Sequence, residues 1–320
     1  MILEVKNLKV QFPTRRGTLT AVDDVSLAIA PGEVLGMVGE SGAGKTLTGL
    51  AVIGLLEPPG RIAAGEVRLE GRRIDNLPHE ELRRLRGRRI GVVFQDPLTS
   101  LNPLYTIGAQ LEETILTHLR LSRAEARARA LALLREVGIP APEQRFEHYP
   151  HQFSGGMRQR VVIALALAGE PSLLIADEPT TALDVSIQAQ IIALLKRLAR
   201  ERGTAVLLIT HDMGVIAETA QRVAVMYAGR VVELGPVREV IHSPRHPYTA
   251  GLMGSIPKIT PQRNRRLAQI EGAMPRLNAI PPGCPFNPRC PKRFERCLVS
   301  RPELLPAGAS AAACWLHAAP

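Results

Sequence analysis

Nowhere in these 320 residues do apolar side chains run far enough to cross a bilayer. A spanning helix needs roughly 18 or more consecutive apolar residues. The nearest approach, Val161 to Gly169, is closed by Arg160 on one side and Glu170 on the other. The opening Met1-Ile2-Leu3-Glu4-Val5-Lys6 alternates like a strand and lacks the apolar block of a signal peptide. The expectation is a chain that is cytoplasmic and soluble by itself, with docking on a membrane protein left open. Cysteine is missing from most of the sequence: Cys284, Cys290, Cys297 and Cys314 all fall in the last 37 residues. A reducing cytosol argues against structural disulfides there, and the clustering suggests a metal site. Acidic residues are scarce in the same region. Between Lys258 and Arg301 ten Lys/Arg face only Glu271 and Glu295, so this stretch supplies +8 of the net +10. Nucleic acid, anionic lipid, an acidic partner or a merely solvated basic face all fit that excess.

What is present is a chain long enough for about two domains, with 45% hydrophobic residues to build a core. Its organising stretch is Gly39-Glu40-Ser41-Gly42-Ala43-Gly44-Lys45-Thr46, which fits G-x-x-x-x-G-K-[ST], the loop that wraps the phosphates of a nucleoside triphosphate. The flanks suit it: Val34 to Val38 reads as a buried strand, and Leu47 to Leu56 as the helix that follows. Successive backbone N–H groups at a helix N-terminus make an anion nest. Lys45 would neutralise the β- and γ-phosphates, and the Thr46 hydroxyl would ligate Mg²⁺.

Residues 1 to 34 read as strands joined by a polar turn at Thr14 to Gly17. Phe12, 33 residues before Lys45, is placed either in the core or as a stacking surface for an adenine ring. A strand from Glu66 to Leu69 and a basic helix from His79 to Arg88 come next. The apolar run Ile90 to Phe94 then delivers Gln95 at its end. Residues 96 to 153 read as a helical insertion. Ser122 to Glu125 fits a capping box, Ala130, Leu133, Leu134 and Val137 share one face, and Gly138 with Pro140 ends the helix.

Phe153-Ser154-Gly155-Gly156-Met157-Arg158-Gln159-Arg160 opens an apolar helix, with Ser154 as candidate N-cap. One helix later, Leu173-Leu174-Ile175-Ala176-Asp177-Glu178 is an apolar strand ending in two carboxylates, the second half of a P-loop site. Asp177 would hold Mg²⁺, and Glu178 would orient and polarise the attacking water. A turn from Thr181 to Asp184 leads to a helix with Ile191, Leu194, Leu195 and Leu198 on one face, stopped by Gly203. Val206 to Thr210 is another buried strand, ending in His211. Strand ends of this kind are where open α/β sheets bind ligands. Val223 to Tyr227 and Val231 to Leu234 read as a hairpin.

Taken in order, Gly39–Thr46, Gln95, Ser154 to Gln159, Leu173–Glu178, Ala182-Leu183-Asp184 and His211 resemble the ATP-binding subunits of ABC transporters over roughly residues 1 to 235. The family form Leu-Ser-Gly-Gly-Gln appears here as Phe153-Ser154-Gly155-Gly156-Met157, which keeps the serine and both glycines. The resemblance implies an α/β fold: a P-loop NTPase ABC ATPase domain with a RecA-like core sheet, an antiparallel β-subdomain and an inserted helical subdomain at about 96–160. A small loop-rich C-terminal extension, 236–320, follows the cassette of 1–235. It also implies ATP and Mg²⁺ as ligands, with Thr46, Gln95 and Asp177 on the metal. Glu178 is then the catalytic base, His211 contacts the γ-phosphate, and Phe12 stacks on adenine. Ser154, Gly155, Gly156 and Met157 complete the site of a facing subunit in a head-to-tail dimer, and Asp184 links the two sites. Gln95 lies in the loop that touches the membrane subunits.

His242 to Thr249, Tyr149 to Met157 and the Cys-rich tail look like the branch that imports dipeptides, oligopeptides and nickel. That implies two transmembrane permease subunits, a paralogous ABC ATPase and an extracytoplasmic solute-binding protein as partners, at the cytoplasmic face of the inner membrane. No nucleic acid is expected. The rivals are an ABC-type ATPase acting on nucleic acid or ribosomes, which the basic tail favours, and a scaffold with a vestigial site, which the intact Lys45, Asp177, Glu178 and His211 oppose. The tail carries 14 of the 26 prolines and should be loop-rich and lightly packed. Its spacing, C-x5-C-x6-C-x16-C, lacks the close pairs of zinc ribbons. The branch resemblance implies a [4Fe-4S] cluster on Cys284, Cys290, Cys297 and Cys314, with zinc or uncoordinated thiols as the alternatives.

Overall fold

The computed structural model describes residues 1–181, 183–256 and 269–318. Ala182 of the Thr181–Asp184 turn and the start of the basic stretch, Lys258 included, lie outside the described residues. The chain divides into two compact units, one of Met1–Leu3, Ile29–Val34 and Arg68–Ile209, the other of Glu4–Ala28, Leu35–Val67 and Thr210–Pro320.

In the first unit three parallel strands lie side by side, Leu173–Asp177 between Ile90–Val93 and Ala205–Ile209. Leu173 stands opposite both Ile90 and Ala205, and Asp177 opposite Ile209. Leu173, Leu174, Ala176, Leu207, Leu208 and Ile209 have no exposure at all. Unbroken apolar runs are what a parallel sheet covered on both faces requires. The expected helical insertion is present: Ile107–His118 and Arg123–Glu136 pack on each other and on Gly155–Leu167. Its capping box closes in both directions, with the Glu125 N–H donating to Ser122 Oγ at 3.3 Å and the Ser122 N–H to Glu125 Oε2 at 2.7 Å. Ala130, Leu133, Leu134 and Val137 are buried as their spacing predicts. The helix Val185–Arg202 ends where Gly203 takes a left-handed φ of 66°.

The second unit carries a sheet in the order Leu305–Ala307, Ser310–Ala312, Arg230–Pro236, Arg222–Tyr227, Val34–Val38. Val34–Val38 runs parallel to its neighbour, with Val38 opposite Val225, and the other pairings are antiparallel. The expected hairpin turns through Ala228 and Gly229, at φ of 48° and 79°. Two left-handed residues match the turn to the right-handed twist of the strands. The strands Gly17–Ile29, Leu3–Thr14 and Arg61–Leu69 are neighbours in that order in a second sheet.

Several boundaries differ from expectation. The helix after the glycine loop is Lys45–Val52, not Leu47 to Leu56. It closes in a Schellman motif, with Gly54 at φ 66° and N–H bonds from Leu55 to Leu50 O and from Gly54 to Ala51 O. The strand expected from Glu66 begins at Arg61, the basic helix stops at Leu85, and Phe94 is exposed beyond the end of its strand. The proline-rich tail is not lightly packed. Its Tyr248 and Phe286 pack against Tyr227 in tilted and edge-on contacts at ring-centre separations of 4.7 and 5.2 Å, and lie 5.4 Å from each other, all three being 2% exposed or less. Aromatic rings bury more area per residue than any other side chain, so three suffice to seat a segment of little regular structure. The strand Ser310–Ala312 adds backbone pairing, Ala312 standing opposite Glu233. Among the described residues no helix is long and apolar enough to cross a membrane.

One polar junction holds the extension to the sheets of this unit. Asp23 accepts ion pairs from Lys9 at 3.2 Å, Arg230 at 2.9 Å and Arg301 at 2.6 Å. Burial alone would raise its carboxyl pKa, but the Lys9 hydrogen bond and the Arg230 and Arg301 charges outweigh that and hold it below 3.8. Replacing Asp23 with Asn removes the closer of the two carboxylates that pair with the Arg230 guanidinium, whose side chain is 9% exposed, and leaves only Asp24 at 3.4 Å. The expected loss is about 2 kcal/mol, below the full figure for a buried pair because the site is partly wet. A depressed carboxyl pKa stabilises above its unfolded value and loses that contribution as pH falls through the folded one. Thermal melts should therefore show the gap between wild type and Asp23→Asn narrowing below pH 3.8. A gap that stays constant there assigns the stabilisation elsewhere.

Candidate functional site

In the second unit the buried strand Val34–Val38 runs into the glycine loop, and the helix Lys45–Val52 leaves it. Gly44, at φ 101°, caps that helix from the left-handed region. A side chain there would be strained at any size. A Cβ on Gly39 would lie 2.2 Å from the Met226 carbonyl oxygen, so the loop passes flush over the neighbouring strand. Lys45 Nζ donates to the carbonyls of Gly39 at 2.8 Å and Glu40 at 3.1 Å, folding the buried lysine back over the loop. The Ala43 N–H donates to Glu40 O, while Ser41, Gly42 and Thr46 are exposed. Backbone N–H groups, a helix start and a cation are thus gathered at one concave turn, which suits a polyphosphate. Phe12 is half-buried and lies against Gly60, where a Cβ would come within 2.6 Å of its ring. His211 is exposed, and Asp212 after it caps the helix Met213–Thr219.

In the first unit the strand Leu173–Asp177 ends in the half-buried Asp177, and Glu178 follows at φ 46°. A left-handed glutamate costs on the order of 1 kcal/mol or more and persists only where its surroundings hold it. Here the Glu178 N–H donates to Ile209 O, and Glu178 Oε2 accepts from Gln95 Nε2 at 3.1 Å and from Thr181 Oγ1 at 2.9 Å. The structure therefore brings Gln95 and Glu178 together, as two strand ends 83 residues apart. Thr181 was not singled out in the sequence, although its place three residues beyond Glu178 was visible.

Ser154 caps the helix Gly155–Leu167, its Oγ accepting from the Met157 N–H at 3.3 Å. Ser154 and Gly155 are exposed; Gly156 is buried, and a Cβ on it would meet Ile187 at 2.6 Å. Gly156 is thus required by packing as well as by any ligand. Asp184 caps the helix Val185–Arg202 by accepting from the Ile187 N–H at 2.9 Å.

Cys284, Cys290, Cys297 and Cys314 line one small cavity together with His246, Phe286 and Trp315. Burial raises the thiol pKa values of Cys290 and Cys314 and pushes that of Cys284 up to about 11. Without a cation, then, those three thiols stay protonated. Among the described residues no three His, Cys, Asp or Glu side chains are grouped closely enough to hold a metal ion. The four sulfurs share a cavity without forming a ligand shell.

A buried strand, a glycine-lysine loop and a helix start, with a carboxylate pair ending another apolar strand, are the parts of a P-loop nucleoside triphosphatase. Family models agree on the class. The ABC transporter model matches residues 22–181, and the model for the oligopeptide/dipeptide transporter C-terminal region matches 232–297. The chain belongs to the ABC transporter family and is an ATP-binding-cassette ATPase.

Among its relatives is the dipeptide transport ATP-binding protein DppD of Bacillus subtilis, 47% identical over 318 residues, or 99% of this chain and 95% of that one. The oligopeptide transport ATP-binding protein OppD of Salmonella typhimurium is 50% identical over 297 residues, 93% of this chain and 88% of that one. A solved dimer of a cassette in a post-hydrolysis state, bound to ADP and Pi, superposes with a TM-score of 0.66 at 34% identity. It covers 74% of this chain and 99% of that one.

Proposed function

We propose that this chain is the ATP-hydrolysing subunit that powers import of dipeptides or oligopeptides by an ABC transporter. The observation that carries it is the union, in one chain, of the cassette with the oligopeptide/dipeptide C-terminal region. Relatives named for peptide transport match both parts together. The division that fits is a cassette of residues 1–235, with its helical subdomain at about 96–160, and an extension of residues 236–320. The chain works as a head-to-tail pair with a paralogous ATPase beneath two permease subunits, at the cytoplasmic face of the membrane. A solute-binding protein delivers the peptide. Support comes from the dimeric state of the similar solved cassette and from the names of the relatives.

Each residue takes a role its surroundings allow. Glu40, Ser41, Gly42, Ala43, Gly44, Lys45 and Thr46 hold the ATP phosphates after the turn at Gly39, Phe12 stacks on adenine, and Thr46, Gln95 and Asp177 take Mg²⁺. Mg²⁺ when bound neutralises phosphate charge. Glu178 accepts a proton from the attacking water, and Gln95 and Thr181 fix its carboxylate for that task. His211 reaches the γ-phosphate. Ser154, Gly155, Gly156 and Met157 serve the nucleotide of the facing subunit, and Asp184 links the two sites.

Cys284, Cys290, Cys297 and Cys314, which line one cavity but form no ligand shell as they stand, would hold a [4Fe-4S] cluster, with zinc as the alternative. Four thiols on one cavity, three of them buried, fit a thiophilic group in kind, since a cation offsets the burial that raises the Cys284, Cys290 and Cys314 thiols. Such a group would cross-link a segment that has few regular hydrogen bonds.

Glu178→Gln keeps the two hydrogen-bond donors to this position and removes the base. It should lower kcat by about 100-fold or more and accumulate an ATP-bound dimer on size exclusion; wild-type turnover assigns the base elsewhere. Anaerobically purified chain should contain iron and acid-labile sulfide, lost together in the Cys290→Ser variant. Zinc without iron overturns the cluster. Gentle solubilisation and affinity purification should bring down two multi-span permeases and a second ATPase. Ribosomal proteins or DNA in their place overturn the importer.

A further inference from the structure

Glu40, the second residue of the glycine loop, is held from the C-terminal extension by contacts that no part of the cassette motif supplies. Its backbone N–H donates to the Tyr248 hydroxyl at 2.9 Å. Its carboxylate takes Arg289 Nη1 at 3.0 Å, where the Arg289 side chain is only 7% exposed. Its carbonyl accepts from Lys45 Nζ at 3.1 Å. All three polar groups of one loop residue are therefore occupied, two of them by residues more than 200 positions away.

The holding residues are themselves fixed. Arg289 donates Nε to Glu271 O at 2.9 Å and Nη2 to Ile270 O at 3.3 Å, and its guanidinium lies 5.8 Å from the Tyr227 ring centre. Burial opposes its charge, but the hydrogen bonds to Glu40 and Tyr227 outweigh that and raise its pKa further. Tyr248 is fully buried on the helix Pro247–Gly254. Its N–H donates to Nδ1 of His246, a ring so buried that its pKa falls to about 3, so it stays neutral and keeps that lone pair. His246 is held in turn by the buried Glu233, which accepts the N–H groups of Arg245 and His246, each at 2.9 Å. A continuous chain of hydrogen bonds thus runs from the sheet strand through the extension to the loop.

We propose that Tyr248 and Arg289 are positioning residues for ATP binding, acting through Glu40 to hold the glycine loop in its phosphate-receiving shape. A loop whose amides serve a ligand gains affinity when its shape is set before the ligand arrives. The extension is then part of the nucleotide site's support. The inference rests on the reading of Gly39–Thr46 as the phosphate loop.

The test uses the full chain with ATP and Mg²⁺, measuring KM, kcat and equilibrium binding of a fluorescent ATP analogue. Tyr248→Phe keeps the ring packing and removes only the hydroxyl. KM and the analogue Kd should rise between about twofold and tenfold, the range one hydrogen bond allows, with kcat within about twofold. Arg289→Met should do the same, and Arg289→Lys should restore part of the loss. In the Glu40→Gln background Arg289→Met should add little, because its partner charge is gone. Unchanged KM in both Tyr248→Phe and Arg289→Met overturns the proposal. So does an equal fall in kcat and melting temperature with KM untouched, which marks a structural role only. Lys45→Ala separates this from the underlying reading: if it binds the analogue as wild type does, the phosphate loop itself is misassigned. If Lys45→Ala abolishes binding while Tyr248→Phe and Arg289→Met change nothing, only the positioning role fails.

Discussion

A loop that binds phosphate through its own amides must hold a shape it cannot stabilise by pairing those amides with each other. The rigidity has to come from around it. Here the strand Val34–Val38 fixes one end, the helix from Lys45 fixes the other, and Lys45 folds back over the carbonyls of Gly39 and Glu40. Met226 presses from beneath, so close that Gly39 admits no side chain. Tyr248 and Arg289 close the remaining side through Glu40. The same constraint accounts for the strand that leads into the loop: an apolar segment with no exposed side chain gives its polar neighbour a fixed starting point.

The acidic strand end follows the same logic. Leu173 to Ala176 are locked in the parallel sheet, and the chain changes to carboxylates where the packing stops. Glu178 then adopts a left-handed backbone that no isolated glutamate favours, held by Ile209, Gln95 and Thr181. Strain is tolerable there because the hydrogen bonds offset it, and it orients the carboxylate.

Much of this was legible in sequence. The glycine loop, the carboxylate pair, the capping box at Ser122 and the hairpin about Gly229 follow from local rules of spacing and backbone preference. Each has a short-range physical cause, so each is written in a few adjacent residues. What was misjudged turned partly on rival local signals and partly on contacts across the chain. The helix after Lys45 ends early because Gly54 can close a Schellman motif, a competition between two local endings that spacing alone does not rank. The tail's proline content suggested loose packing, yet Tyr248 and Phe286 meet Tyr227 of the sheet, and three rings outweigh many prolines.

By itself, then, the sequence marked out the candidate chemistry: a loop of phosphate-binding form, a pair of carboxylates ending an apolar strand, and a run of cysteines apart from them. Those choices are local, since each needs particular residue types at fixed short spacing. Only the tertiary structure decided that Gln95 meets Glu178, that Gly156 is glycine partly for Ile187, and that four scattered cysteines share one cavity. It also decided that residues 248 and 289 reach position 40. Hydrogen bonds between residues 83 to 249 positions apart leave no periodic trace in the chain, because their geometry is set by packing that many other residues determine together.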